Sequence, residues 1–171
     1  MDTSVLDAIT SRRSVRKYTD RPIDDGLVTD LLRAAMAAPS AGNQQPWEFI
    51  VVRERALLES IGRSQPYAGM AGHAQLAIII CGDTGREKFP GFWAQDCAAA
   101  TQNLLLAAHA SGIGAVWLGY YPMEERVEAI KALFGLPEGL VPFAIVPLGY
   151  PAESPRAVDR YDSARVHHDS W

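Results

Sequence analysis

Apolar residues recur along this chain with two different periods, and the points where the period changes divide it into elements. Val5, Ala8, Ile9 and Arg12 follow helical spacing behind Thr3 or Ser4, which predicts a short helix over residues 3–12. After the break at "DRPIDD", residues Leu27, Leu31, Ala34, Ala35 and Ala38 mark one side of a second helix, with Asp24 or Asp25 as its cap and Pro39 as its stop. The polar loop "SAGNQQP" leads into the predicted strand "WEFIVV", and "RALLESIG" reads as a helix. "YAGMAGHA" fits neither period, whereas "LAIIICGD" reads as a buried strand.

The longest helical pattern covers residues 91–111, with Cys97, Ala100, Leu104, Leu105 and Ala108 on its apolar face. "GIGAVWLGYY" then predicts a strand, "MEERVEAIKALFG" an amphipathic helix ending at Gly135, and "VPFAIVPLGY" a last core strand. The remaining "PAESPRAVDRYDSARVHHDSW" is too charged and Pro-broken to pack by itself, yet its terminal Trp171 predicts docking on another surface. With 171 residues, 48% hydrophobic and 21% charged, the chain is expected to form one mixed α and β domain over residues 1–171.

A formal net charge of −4 and a pI of about 5.5 disfavour nucleic acid and anionic membrane as partners. No apolar run is long enough to span a bilayer, so a soluble protein is expected. Cys81 and Cys97 lie in no CxxC or Cys/His cluster, which argues against a disulfide framework or zinc site and fits a reducing, cytoplasmic setting. His73, His109, His167 and His168 lack ligand-spaced company, so no metal is expected.

Against the acidic total, "SRRSVRKY" gathers Arg12, Arg13, Arg16 and Lys17. If the chain is extended beyond the first helix, Arg12, Ser14 and Arg16 share one side, and two guanidinium groups around a hydroxyl match the oxygens of a phosphate. The alternative is that these cations complement the helix C-terminus and stay solvated. "APSAGNQQPWEF" offers small side chains and the amides of Asn43, Gln44 and Gln45, which serve either a ligand or the loop's own backbone. Gly112, Gly114 and Gly119 punctuate a strand rather than a strand-to-helix turn, so a dinucleotide loop is not predicted; they suit tight turns or close ligand approach. Trp93, Phe89 and Phe92 read as core packing or as a pocket wall. Without GxSxG, a serine nucleophile is not expected.

Taken together, "RRSVRKY" and "APSAGNQQPWEF" resemble the FMN-dependent nitroreductase family, which has an opening helix, an Arg-x-Ser-x-Arg/Lys segment and a Pro-Ser-x-x-Asn-x-Gln-Pro-Trp loop. "DCAAATQNLLLAAHASGIGAVWLGYYP" is similar to the family's central helix and following strand, and "FGLPEG" with "IVPLGYP" to its closing helix-turn-strand. The tail "SPRAVDRYDSARVHHDSW" is similar to that of short members, with Ser154 where Lys is common. The resemblance implies an α+β fold with a central mixed, mainly antiparallel sheet flanked by helices. It also implies a homodimer in which a domain-swapped C-terminal tail, residues 151–171, wraps the partner.

The resemblance further implies FMN contacts from Arg12, Ser14, Arg16 and Arg156, with Arg13 contributing through its backbone. Pro39, Ser40, Ala41, Gly42 and Asn43 would reach the flavin from the other subunit, and Leu118 and Gly119 would lie beside the ring with the Gly119 N–H toward N5. The implied activity is reduction of bound FMN by NADH or NADPH, followed by reduction of an electron-poor small molecule such as a nitroaromatic or quinone. Hydride chemistry resides in such a cofactor, so no side chain is named as catalytic. Family likeness does not fix the acceptor, which leaves a metabolite-specific flavin dehydrogenase or dehalogenase and a flavin-storage protein without fast NAD(P)H turnover as alternatives. A small nucleic-acid binder using residues 12–17 ranks last on the acidic pI.

Overall fold

The apolar run Leu76–Asp83 forms strand β2 in the computed structural model, which describes residues 4–156 and 158–171. Its side chains alternate between two cores, as a period of two requires. Leu76, Ile78 and Ile80 pack with helices α2 (Asp25–Met36) and α4 (Trp93–Ala110). Ala77, Ile79 and Cys81 pack with α3 (Arg55–Arg63) and α5 (Glu124–Phe134) on the opposite face. Burying each isoleucine contributes roughly 1.5–3 kcal/mol, so this strand anchors both layers.

Strand β1 (Trp47–Val52) pairs with β2 on one side, and β5 (Leu140–Gly149) pairs with it on the other. Two short strands, β3 (Gly114–Ala115) and β4 (Leu118–Gly119), both pair with β5. All these pairings are antiparallel, which realises the expected sheet of an α+β fold without a parallel pair among them. The strand expected over "GIGAVWLGYY" is thus present but interrupted. Continuing its register sets Val116 opposite Pro147, which has no N–H to donate, and the ladder is lost at Val116–Trp117. Pro142 likewise stands at a register shift, opposite Cys81.

Helix ends follow local chemistry. Helix α1 (Val5–Ser11) is capped by Ser4, whose hydroxyl accepts from the Asp7 N–H; Thr3, the other expected cap, lies outside the described residues. Asp24 caps α2, and Gly135 closes α5 in the left-handed conformation at φ 61°. The ambiguous "YAGMAGHA" contains a 3-10 turn, Gly69–His73.

Candidate functional site

Residues 12–17 lie along the sheet end because two glycines leave room for them. Gly114 and Gly149 are cross-strand partners. A Cβ on Gly114 would meet Val15 at 2.6 Å, and one on Gly149 would meet Tyr18 at 2.7 Å. Val15 is buried there and donates its N–H to the Ala115 carbonyl at 2.9 Å. Gly114 therefore serves this packing, Gly112 a turn at φ 73°, and Gly119 alone of the three borders open space without that strain. Tyr18 donates its hydroxyl to the Val15 carbonyl, and the Arg16 N–H donates to Glu153 in the tail.

The three arginines of this segment have divided roles. Arg13 is a clamp: its guanidinium donates to the carbonyls of Thr10, Arg12, Arg156 and Val158 at 2.6–3.3 Å. That holds the start of the tail against α1. Arg12 lines the resulting groove of about 660 Å³ with Val158, Arg160 and Tyr161. Burial first, and then the charges of Arg13 and Arg160, lower the Arg12 pKa. Among the described residues, the side chains of Arg12, Ser14, Arg16 and Arg156 take no protein hydrogen-bond partner. Asp159 is the one carboxylate lining the groove against Arg12, Arg13 and Arg160, so cations are in excess there, which is the electrostatics of an anion site.

Arg16 faces a second groove, of about 540 Å³, shared with Val116, Trp117 and Leu118 on one side and Pro66, Tyr67 and Met70 on the other. The groove opens where Pro147 interrupts the edge strand. Gly119 lies next to it with nothing within 4 Å of where a Cβ would stand. The Gly119 carbonyl is occupied by Gln65 and Arg126. Sequence reasoning missed Pro66, Tyr67 and Met70: Tyr67 and Met70 fall in the stretch that fits neither period, and Pro66 directly precedes it.

Pro39, Ser40, Ala41, Gly42 and Asn43 form a tight turn after α2, with a 3-10 segment over Ala41–Asn43. Gly42, Asn43 and Gln45 have φ values of 53°, 54° and 46°. For the two residues with side chains that conformation costs up to about 1 kcal/mol each, least for Asn43; Ser40 Oγ accepts from the Gln45 N–H at 3.0 Å within the loop, and an anchor outside the loop holds it further. Asp96 of α4 is that anchor: its carboxylate accepts from the Ala41 N–H at 3.0 Å and from Gln44 Nε2 at 2.6 Å. Gln44, one of the amides with two readings, is buried and structural, while Asn43 and Gln45 are exposed. Trp93 is core, packed on Gly82, whereas Phe89 and Phe92 are exposed at 49% and 45% beside the loop.

Within one chain, the loop and the arginine segment are far apart. The loop is tied to Asp96 near the start of α4, and Ser11 to His109 near its end. At about 1.5 Å per residue this separates them by about 20 Å. In the tail, Ser154 and Arg156 are exposed, the hydrogen bonds of residues 162–171 fall within that segment, and Trp171 is fully exposed against His167.

A family model described as "Nitroreductase family" matches residues 9–68 and 59–150. The chain belongs to the nitroreductase family. A candidate NADH dehydrogenase/NAD(P)H nitroreductase of Methanothermobacter thermautotrophicus is 53% identical, over 98% of this chain and 87% of that protein. The crystal structure of a protein with the same description from Parabacteroides distasonis superposes with a TM-score of 0.94 at 41% identity, covering 98% of each chain. A candidate nitroreductase in complex with FMN from Desulfovibrio desulfuricans superposes at 0.86 and 31% identity, covering 100% of this chain and 99% of its own. The nitroreductase fold thus accounts for essentially the whole chain, and no helix among the described residues is long and apolar enough to cross a membrane.

Proposed function

We infer that this chain is one FMN-binding domain of a cytoplasmic NAD(P)H-dependent oxidoreductase, acting on an electron-poor small molecule such as a nitroaromatic or quinone. The observation that carries the reading is the pair of grooves joined by residues 12–16, one lined by crowded cations and the other by Arg16 and Leu118. FMN has the matching chemistry, a phosphate at one end and a flat ring at the other. In this reading Arg12, Ser14 and Arg156 hold the phosphate, and Arg13 brings Arg156 there through its backbone clamp. Arg16 sets a positive charge in the second groove, where reduction accumulates negative charge. Leu118 supplies an apolar wall, and Gly119 leaves its flank open. Bound FMN would supply hydride acceptance from the nicotinamide and electron delivery to the acceptor.

The same reading requires two copies. One chain holds its loop and its arginine segment at opposite ends of α4, so an antiparallel pairing of two α4 helices would bring Pro39–Asn43 of one copy toward Arg12–Arg16 of the other. An apolar groove lined by Val5, which is 75% exposed, with Ala8, Ala34, Leu106 and Ala107 runs along α4. Unsatisfied apolar surface of that kind favours burial against a partner. The tail beyond Tyr161, with Trp171 bare, supports wrapping of the partner.

The test is purification followed by anaerobic reduction. A yellow dimer that releases FMN and is reduced quickly by NADH or NADPH is expected. FAD, or no flavin after adding FMN, overturns the reading. Bound FMN that neither nucleotide reduces is the result for a flavin-storage protein, and strong preference for one metabolite in a turnover screen is the result for a specific dehydrogenase or dehalogenase.

A further inference from the structure

The most enclosed polar pair in the described molecule lies away from the proposed flavin grooves of its own chain. Asp96 and Gln44 are 5% and 6% exposed, and they meet between α4 and the Pro39–Asn43 turn. Asp96 Oδ1 accepts from the Ala41 N–H at 3.0 Å, and Oδ2 accepts from Gln44 Nε2 at 2.6 Å. The other end of the same amide, Gln44 Oε1, accepts from the backbone N–H groups of Lys88 and Phe89 at 2.8 and 3.3 Å. Two side chains therefore fix three backbone donors on two separate segments.

Those segments also touch directly. The Phe89 ring occupies the space a Cβ on Gly42 would need, with only 2.4 Å between them, and Lys88 Nζ donates to the Gly42 carbonyl at 3.3 Å. The turn conformation is intrinsically unfavourable at Asn43 and Gln45, so its geometry has to be imposed by partners. Burial makes the imposition strong: with water excluded, each donor that lost its acceptor would stand unpaired.

We propose that Asp96 is a positioning residue, which through Gln44 holds the Pro39–Asn43 turn and Phe89 as one body, presenting a preset surface to the flavin of the partner subunit. The mechanical part of this rests on the contacts above; its relevance to flavin rests on the function proposed here. The device has a definite chemical grammar. Asp96 accepts only, and Gln44 donates toward Asp96 while accepting from the backbone.

Exchanging the acid and the amide tests it. Asp96→Asn sets two NH₂ groups against each other, since one amide oxygen cannot serve both Ala41 and Gln44 in the present geometry. Gln44→Glu sets two carboxylates against each other. The double variant restores complementarity: the Asn oxygen accepts from Ala41, its NH₂ donates to the Glu carboxylate, and the second Glu oxygen accepts from Lys88 and Phe89.

The readout is backbone amide exchange at Ala41, Lys88 and Phe89, which needs no flavin. Each single variant is expected to speed exchange at all three by about tenfold or more, with the double variant returning to within about threefold of wild type. FMN titration into apoprotein should follow the same order, with loss in each single variant and recovery in the double. Exchange that rises at Ala41 while Lys88 and Phe89 stay protected overturns the coupling, as does a double variant no better than the singles. If the single variants do not fold, the double variant decides alone by its protection at the three amides. Failure of wild type to bind FMN would remove the flavin reading and leave the exchange result to judge the positioning role.

Discussion

Ser11 Oγ lies 2.8 Å from His109 Nε2, tying the last residue of α1 to the last turn of α4 beside Arg12 and Arg13. Burial first, and then these two arginine charges, lower the His109 pKa from its ordinary 6.5. A base whose folded pKa is depressed stabilises the fold above its unfolded value, and that contribution is lost as pH falls, because the unfolded chain then binds the extra proton. His109→Gln, which keeps a polar partner for Ser11, should therefore lose less stability on acidification below about pH 6.5 than wild type does. Urea unfolding at a neutral and a mildly acidic pH checks this; parallel pH profiles would remove His109 as the source.

Arg12→Ala should weaken FMN binding with little change in the fold. A charge-assisted hydrogen bond contributes about 1.5–3 kcal/mol, which corresponds to a loss of roughly tenfold to a hundredfold at low salt. The difference should shrink as salt screens the phosphate. Isothermal titration of apoprotein at two salt concentrations measures both, and an unchanged Kd would place the phosphate elsewhere.

Arg13→Ala tests the clamp rather than the ligand. Losing its four hydrogen bonds should release Arg156 and Val158 and, with them, the reach of the Arg156 side chain. FMN affinity should then fall, and adding Arg156→Ala should cost little more, since the two act through one contact. Arg13→Lys should not restore binding, because one ammonium cannot serve four carbonyls from a planar fork. Additive losses in the double variant would mean that the tail stays in place without Arg13.

Pro147→Ala restores an N–H opposite Val116. The edge strand should then pair continuously, and the groove beside Arg16 should narrow. Net stability should change little, because one new ladder bond of about 1 kcal/mol offsets the roughly 0.4–1 kcal/mol of chain stiffness lost with proline. FMN affinity should drop several-fold while the residue 147 amide becomes protected from exchange. A variant with unchanged affinity would separate the groove from the ladder break.

Where one short stretch of chain determines an element, the sequence was sufficient. "WEFIVV" and "LAIIICGD" delimit β1 and β2 to the residue, because short runs of strand-forming residues bounded by loop residues mark their ends, and β2 is in addition buried on both faces. The nitroreductase resemblance rested on local motifs in the same way. What escaped was long-range. The Asp96–Gln44 contact spans 52 positions, and nothing in "WAQDCAAA" distinguishes this aspartate from a solvated one. The broken edge strand needed knowledge that Val116 faces Pro147, which only register supplies. The resemblance sets Arg13 apart from Arg12 and Arg16 as a contributor through its backbone, but the tail carbonyls that claim its side chain come more than 140 residues later.

The tying of both half-sites to one helix makes α4 intolerant of changes in length. Removing a single residue between Asp96 and His109 would rotate one end against the other by about 100° and shift it by about 1.5 Å, misaligning both attachments at once. Substitutions on α4 that spare Asp96, His109 and the apolar face of Leu106 and Ala107 disturb neither attachment. Such a helix can change in composition away from those positions, while changes in chain length are borne only by surface turns outside the site.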